Sequence, residues 1–261
     1  MEVFYAVLIV GGVGLLIGIA LGIAGKFLAV EVDEKEVAVR EALPGNNCGG
    51  CGYPGCDGLA AAIAKGESDP AACPVGGAPV AKVIAEIMGV EAEVVPKMAY
   101  VACAGDCEVS KNKYNYHGNM SCQDAANIPG GGAKACDYGC LGLGSCVKVC
   151  EFDAIHIENG KAVVDREKCK ACGKCVDACP KGLISIIPQD TKYMVKCSSK
   201  NKGKDVMQAC SVGCIGCGMC AKICPVNAVQ FDYNIAWIQQ DICEWCGACA
   251  EKCPKKIIEK L

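Results

Sequence analysis

The hydrophobic pattern of the chain opens on one long uncharged stretch, which runs from Val3 to Gly25. A helix of about 20 apolar residues crosses the hydrocarbon core of a bilayer, which is about 30 Å thick. A secretory signal would begin with a basic segment, whereas Glu2 is acidic. The stretch therefore predicts a retained single-pass transmembrane helix. Lys26 at its end favours a cytoplasmic position for the rest of the chain.

Shorter patterns follow and predict small elements separated by turns. The Ala-rich segment Gly58–Lys65 and the segment Val80–Gly89 predict helices, and Val90–Pro96 predicts an extended segment or linker. Further along, short strand-like segments predict two β-hairpins. Their paired strands are Ala154–Glu158 with Ala162–Asp165, and Ala228–Tyr233 with Ile235–Gln239.

The cysteines change this picture, because 25 of the 261 residues are Cys and only His117 and His156 are His. The spacing C-x2-C-x2-C-x3-C-P occurs three times. It is typical of bacterial ferredoxins, in which three thiolates bind one [4Fe–4S] cluster and the fourth binds a second cluster. The three runs comprise Cys169, Cys172, Cys175 and Cys179; Cys214, Cys217, Cys220 and Cys224; and Cys243, Cys246, Cys249 and Cys253.

Two other uses of cysteine fit these runs less well. Zinc sites usually show two separated C-x2-C pairs, or pairs of Cys and His. A disulfide scaffold is disfavoured because the number of cysteines is odd and the chain is long enough to form a core. So many thiolates require a reducing compartment, which predicts that the cysteine-rich part lies in the cytoplasm.

A different cysteine motif precedes the three runs. Its sequence is rich in glycine, which allows close approach of the backbone to an inorganic core. The motif comprises Cys48, Cys51, Cys56 and Cys73. Four thiols at this spacing predict one further [4Fe–4S] cluster, and zinc remains the alternative here.

The chain also contains an internal repeat, in which residues 136–179 align with residues 210–253. Upstream, Cys103 falls opposite Cys197. Each repeat is therefore expected to form a two-cluster ferredoxin module.

The first repeat departs from the ferredoxin spacing. Leu143 stands where the second repeat has Cys217, and Glu151 replaces the proline. Cys136 is positioned to supply the missing thiolate. The four predicted ligand sets are Cys136, Cys140, Cys146 and Cys179; Cys150, Cys169, Cys172 and Cys175; Cys214, Cys217, Cys220 and Cys253; and Cys224, Cys243, Cys246 and Cys249. With the N-terminal motif, five clusters are expected.

Five cysteines remain outside these sets, namely Cys103, Cys107, Cys122, Cys197 and Cys210. Free cysteine packs as a small hydrophobe, so buried structural thiols are one interpretation. Cys103, Cys107 and Cys122, with or without Cys136, form the candidate for a sixth cluster.

Charge and motifs narrow the function. The net charge is −3, with 26 basic against 29 acidic residues, and Arg40 and Arg166 are the only arginines. Planar recognition of phosphates favours Arg, so nucleic acid is excluded as a partner. The glycines at 130–132 lack the spacing of a nucleotide-binding loop. No acid–base or nucleophilic constellation is found, which predicts an electron carrier without a complete active site of its own.

The order of these segments resembles the B-subunit family (RnfB) of the Rnf complex, the ion-translocating ferredoxin:NAD⁺ oxidoreductase of bacteria. The resemblance rests on a hydrophobic N-terminal helix joined to the loop Asn47–Cys56 and followed by ferredoxin modules, and it covers essentially the whole chain. It implies partner subunits that carry flavins and the NAD site. It also implies coupling of electron flow to Na⁺ or H⁺ transport. The second module and the unusual run from Cys136 to Cys150 depart from shorter members.

These observations predict an α+β fold in four parts. A single transmembrane helix is expected at 1–30, a small helical [4Fe–4S] domain with a linker at 31–100, and two bacterial 2[4Fe–4S] ferredoxin-like modules at 101–190 and 191–261.

The expected function is that of an electron-input subunit of a translocase in the cytoplasmic membrane, with its clusters on the cytoplasmic side. Soluble reduced ferredoxin would donate electrons, and partner subunits would reduce NAD⁺. Two alternatives stay open. One is a polyferredoxin subunit of a membrane hydrogenase or another oxidoreductase, and the other is a membrane-anchored, metal-binding assembly factor.

Overall fold

The computed structural model describes residues 2–27, 33–91 and 95–261, and within the first range it describes the side chains of residue 5 and residues 11–24. The helices of these ranges are α1 (Glu2–Phe27), α2 (Glu34–Ala42), α3 (Cys56–Ala64), α4 (Gly77–Met88), α5 (Cys122–Asn127), α6 (Ser145–Lys148), α7 (Lys174–Asp177), α8 (Gly203–Ala209), α9 (Met219–Ile223) and α10 (Ala248–Glu251). The strands are β1 (Lys97–Val101), β2 (Ile155–Glu158), β3 (Lys161–Val164), β4 (Ile184–Pro188), β5 (Tyr193–Val195), β6 (Val229–Asp232), β7 (Ile235–Ile238) and β8 (Ile258–Lys260).

The uncharged N-terminal stretch forms helix α1. Among the residues that the structure describes, however, no helix combines the length and the apolar character needed to cross a membrane. The single transmembrane helix predicted for this end of the chain is therefore corrected to a helix for which no membrane span is found among the described residues.

Helices α2, α3 and α4 pack together and form the first core of the cysteine-rich part. Val39, Leu59 and Ile84 are almost completely buried at their contacts. Helix α4 ends at Gly89, which has a left-handed backbone with φ 72°. The two helices predicted for this region are thus confirmed as α3 and α4.

Residues 97–188 form a unit with two antiparallel pairs of strands. β1 pairs with β4, with Ala99 opposite Ile186, and β2 pairs with β3, with Ile155 opposite Val164. Apolar side chains of these strands and several cysteines share one buried core, in which Ile155 is 2% exposed. The hairpin predicted from Ala154 is confirmed as β2–β3.

The C-terminal unit repeats this arrangement. β5 pairs with β8, with Val195 opposite Ile258, and β6 pairs with β7, with Val229 opposite Ile238. The second predicted hairpin is confirmed as β6–β7. Because the first and last strands of each unit pair with each other, the cysteine loops between them are held against one core.

The first unit carries an insertion that the second unit lacks. Cys136 follows Cys103 by 33 positions, whereas Cys210 follows Cys197 by 13. The additional residues include helix α5, whose N-cap is Ser121.

Backbone hydrogen bonds join the two units close to this insertion. The N–H of Ala104 donates to the carbonyl of Lys196 at 2.9 Å. The N–H of Ser211 donates to the carbonyl of Val109, also at 2.9 Å, and Ser110 forms a β-bridge with Cys210. The two units therefore share a junction built from the start of one repeat and the start of the other.

Candidate metal centres

One group of four cysteines surrounds a small cavity in the C-terminal unit. The space inside it, part of which is open to solvent, is about 350 Å³, and Pro254 and Phe231 also line it. Its cysteines, called site C, are Cys214, Cys217, Cys220 and Cys253. The structure thus brings together the four residues of one predicted ligand set.

A second cavity, of about 360 Å³, lies in the first unit and has the same character. Ala99 and Ile155 line its apolar side. Its cysteines, called site B, are Cys150, Cys169, Cys172 and Cys175. They are again the four residues of one predicted set.

The third cavity, of about 350 Å³, differs from the prediction in one cysteine. Its cysteines, called site A, are Cys122, Cys140, Cys146 and Cys179. Cys122 therefore stands where the sequence predicted Cys136. Leu143 stands where the run needs a cysteine. The fourth thiol of site A comes instead from Cys122, at the start of α5 in the insertion.

A hydrogen bond holds Cys122 in this position. Its backbone N–H donates to Oγ of Ser145 at 2.8 Å, and Ser145 is the first residue of α6. Cys136 lies elsewhere, with Cys103, Cys197 and Cys210 around a separate cavity. The sequence did contain a signal for Cys122, since two unassigned cysteines, Cys107 and Cys122, lay between Cys103 and Cys136 in the repeat that lacked a ligand.

Two further predicted groups of four cysteines remain. Site D comprises Cys224, Cys243, Cys246 and Cys249. Site N, the N-terminal motif, comprises Cys48, Cys51, Cys56 and Cys73. In site D, burial raises the pKa of the Cys249 thiol, and the negative charges of the other three cysteines of that site raise it further. In site N, burial raises the pKa of Cys73, and Cys51 and Cys56 act in the same direction.

The predicted sixth group is not brought together. Cys122 belongs to site A, and Cys103 lies at the junction cavity. Cys107 is exposed, and its Sγ lies against Gly160. The expected set of Cys103, Cys107 and Cys122 is therefore corrected, because Cys122 begins α5 and the other two cysteines lie on the irregular segment after β1.

One glycine position explains how the loops present their cysteines. In each of sites A, B, C and D, a glycine with a left-handed backbone precedes the short helix that carries one of the four cysteines. These glycines are Gly144, Gly173, Gly218 and Gly247, with φ between 72° and 83°. Only glycine adopts this conformation without steric cost, so the chain can turn sharply and direct the thiol inwards.

Backbone N–H groups point at the sulfur atoms in both units. The N–H of Ala154 donates to Sγ of Cys150 at 3.4 Å, and the N–H of Ala228 donates to Sγ of Cys224 at 3.2 Å. The N–H of Ala99 donates to Sγ of Cys169 at 3.2 Å. Such bonds favour the thiolate and tune the reduction potential of a bound cluster.

Burial opposes ionisation of these thiols in the protein alone. It raises the pKa of Cys146 to about 12 and the pKa of Cys175 and Cys220 to about 11. A metal centre reverses this preference, because its positive charge stabilises bound thiolates and releases their protons. The four-thiol donor sets around apolar cavities therefore fit [4Fe–4S] clusters.

In the described part of the chain, no group of three or more Cys, His, Asp or Glu side chains is placed to hold a single metal ion.

Site N lies next to site B. A Cβ atom built on Gly50 would lie 2.7 Å from the carbonyl oxygen of Cys172, so only glycine allows this approach. Burial raises the pKa of the Cys172 thiol, and the negative charges of Cys48 and Cys150 raise it further. In the second unit the equivalent of Cys172 is Cys246, and Cys246 is exposed.

Comparison with known families matches most of these regions. Residues 43–75 match a family described as "Putative Fe-S cluster". Residues 135–184 match one "4Fe-4S dicluster domain" family, and residues 168–228 and 213–257 match another of the same description. The chain therefore contains several [4Fe–4S] domains.

Whole-chain relatives decide the family. The chain is 48% identical over 237 residues to the B subunit of the Na⁺-translocating ferredoxin:NAD⁺ oxidoreductase complex of Acetobacterium woodii, covering 90% of this chain and 71% of the relative. It is 40% identical over 256 residues to the B subunit of the ion-translocating oxidoreductase complex of Methanosarcina acetivorans, covering 97% of each chain. The chain belongs to the B-subunit family of ion-translocating oxidoreductase complexes. The resemblance to the Rnf B subunits is thus confirmed.

A third relative is named for a different ion. The B subunit of the proton-translocating ferredoxin:NAD⁺ oxidoreductase complex of Clostridium ljungdahlii is 42% identical over 234 residues, covering 88% of this chain and 82% of the relative. As a member of this family, the chain is an iron–sulfur electron-transfer subunit of an oxidoreductase complex. Membership favours this function over the hydrogenase and assembly-factor alternatives.

Proposed function

We propose that this chain accepts single electrons from reduced ferredoxin and passes them to partner subunits that reduce NAD⁺, coupled to Na⁺ or H⁺ transport. The relatives named for ferredoxin and NAD⁺ support the donor and the acceptor. Relatives named for Na⁺ and for protons both match, so the proposal includes either ion.

The bound groups are [4Fe–4S] clusters, which accept and donate one electron each. We assign at least five, held by sites N, A, B, C and D. This assignment replaces Cys136 with Cys122 in site A, because Cys122 shares that cavity with Cys140, Cys146 and Cys179. The expected domains at 31–100, 101–190 and 191–261 follow these sites, except that strand β1 (Lys97–Val101) pairs with β4 and is therefore placed in the first module.

The observation that carries the direction of transfer is the contrast between Cys172 and Cys246. These cysteines occupy the same position in the two repeats. The first is covered by the backbone of Gly50 in the site N domain, and the second is exposed. We infer that an external donor docks at site D and that electrons leave the two modules through site N.

The surroundings of site D suit such a donor. Ile242 is 43% exposed beside Cys243 of site D, and Trp237, on β7 of the same unit, is 46% exposed. Exposed apolar side chains around a charged carrier site are typical of protein interaction surfaces. The partner chemistry is that of a small, soluble, low-potential iron–sulfur protein.

For localisation, we propose that the chain associates with the cytoplasmic face of a membrane complex through its partner subunits. The thiol-rich sites require a reducing compartment. Its relatives are named as subunits of ion-translocating complexes.

The test measures how fast reduced ferredoxin reduces the anaerobically purified full chain. The readout is the bleaching of the iron–sulfur absorbance. We compare Ile242→Glu beside site D with Val83→Glu, whose side chain is similarly exposed on α4. A charge in the docking rim is expected to slow association about tenfold, and a remote charge is not. Dithionite should reduce both variants at the rate of the wild type.

Two results decide the outcome. If ferredoxin does not reduce the wild-type chain although dithionite does, the donor assignment is wrong. If Val83→Glu slows reduction and Ile242→Glu does not, electrons enter at the N-terminal end and the proposed direction is reversed.

A further inference from the structure

A fourth cysteine-lined cavity lies at the junction of the two modules and is used by none of the five sites. The space inside it, part of which is open to solvent, is about 400 Å³, close to the corresponding volumes at sites A, B and C. Its cysteines, called the junction site, are Cys103, Cys136, Cys197 and Cys210. The ligand sets predicted from the sequence leave three of these four thiols without a cluster.

Each repeat contributes two thiols at equivalent positions. Cys103 of the first repeat corresponds to Cys197 of the second, and Cys136 corresponds to Cys210. Neither repeat could build a four-thiol site alone. The hydrogen bonds that join Ala104 to Lys196, and Ser211 to Val109, hold the two halves together.

The sulfur atoms converge on this cavity. A Cβ atom built on Gly105 would lie 3.5 Å from Sγ of Cys210 and 3.7 Å from Sγ of Cys103, so both sulfurs lie against the same glycine. Cys136 and Cys197 line the same cavity, so all four cysteines border one space.

A buried lysine lies beside these thiols. Lys134 lines the cavity and is 6% exposed, and its Nζ donates to the carbonyls of Gly105 at 2.6 Å and Gly160 at 3.1 Å. A buried cation is costly unless negative charge offsets it. No carboxylate shares hydrogen bonds with Lys134 among the described residues. Thiolates around a metal cluster would supply that negative charge.

The junction site is linked directly to one site in each module. The N–H of Cys140 in site A donates to Sγ of Cys103 at 3.4 Å. The N–H of Cys214 in site C donates to Sγ of Cys197 at 3.4 Å. A ligand of a cluster here would therefore be hydrogen-bonded to a ligand of the cluster in site A and to a ligand of the cluster in site C.

We propose that Cys103, Cys136, Cys197 and Cys210 hold a sixth [4Fe–4S] cluster, which carries electrons between the two ferredoxin modules. The inference rests on the proposed function and extends it. One electron is lost from site C for each electron that the junction site takes up, and the junction site is reoxidised when site A takes up that electron. No proton or other co-reactant is required.

The experiment measures iron, acid-labile sulfide and zinc in the anaerobically reconstituted full chain, together with native mass spectrometry of the wild type. We compare Cys210→Ala with Cys107→Ala, whose exposed thiol lines none of the cavities described above. The wild type is expected to hold about 24 irons, since each [4Fe–4S] cluster has about four. Cys210→Ala should lose about four irons and Cys107→Ala none.

A kinetic measurement distinguishes a junction site that transfers electrons from one that only stabilises the fold. In Cys210→Ala, ferredoxin should still reduce sites C and D but should leave sites A, B and N oxidised. Dithionite should reduce all of them. If Cys210→Ala does not fold, Cys103→Ala from the other repeat and the mass of the wild type provide the same count.

The outcomes distinguish the two proposals. About 20 irons in the wild type, unchanged in Cys210→Ala, would overturn the junction site and leave the five-cluster function intact. One zinc per chain that is lost in Cys210→Ala would overturn its identity as a cluster. A wild-type chain that holds little iron after reconstitution would overturn the electron-transfer proposal itself.

Discussion

Gly50 packs its backbone directly against Cys172, so that a Cβ atom at position 50 would lie 2.7 Å from the carbonyl oxygen of Cys172. This contact joins the helical domain of site N to the first ferredoxin module. In the first repeat the backbone of Gly50 covers Cys172, whereas Cys246, the equivalent residue of the second repeat, is exposed. The same cysteine position is therefore an internal contact in the first module and an accessible surface in the second.

Gly50→Ala should separate site N from site B without removing a ligand. The added methyl group clashes with backbone atoms, which cannot rotate away as a side chain can. We expect slower electron transfer between the two sites and an unchanged iron content, measured by stopped-flow reduction and iron analysis. Gly18→Ala is the control, because its backbone is helical and nothing lies within 4 Å of a Cβ atom there. Equal rates in the two variants would show that this contact does not set the transfer step.

Cys122→Ala should remove the cluster of site A. The cavity of site A contains Cys122 with Cys140, Cys146 and Cys179, and the loss of one of four thiolates opens the cluster to solvent. Iron analysis should fall by about four per chain, and the EPR signal of one cluster should disappear. Cys107→Ala should keep the full iron content. A Cys122→Ala protein with unchanged iron would return the assignment to Cys136.

Lys134→Met should lower the reduction potential of the junction site. The buried ammonium group favours the reduced, more negative state, and methionine removes that charge at similar length. Potentiometric titration followed by EPR measures the shift. Lys111→Met, an exposed change on the same segment, is the control. If both variants titrate like the wild type, Lys134 does not face a redox centre.

Gly247→Ala should destabilise the second module more than Gly218→Ala. Both glycines have a left-handed backbone, which costs an alanine about 1–2 kcal/mol. At Gly247 the added methyl group would also lie 2.6 Å from Oη of Tyr193, whereas nothing lies within 4 Å at Gly218. Displacing the tyrosine adds about 1–3 kcal/mol. Anaerobic thermal unfolding should therefore give a lower Tm for Gly247→Ala, and equal Tm values would show that Tyr193 moves freely.

The sequence alone determined the local structures. The three C-x2-C-x2-C-x3-C-P runs predicted their loops because cysteine, glycine and proline at short spacing restrict the backbone over a few residues. The hairpins at β2–β3 and β6–β7 followed from short apolar segments around a turn. The family resemblance rested on the same local motifs.

The tertiary structure decided which distant residues meet. Cys122 reaches site A from an insertion, and Ser145 fixes it there through a hydrogen bond across 23 positions. Cys103 and Cys210 come together because the start of each repeat pairs with the other. Spacing along the chain cannot encode such meetings, since they depend on how whole units pack. At the N-terminal stretch, apolar composition predicted a membrane span, and the described residues contain no helix that could form one.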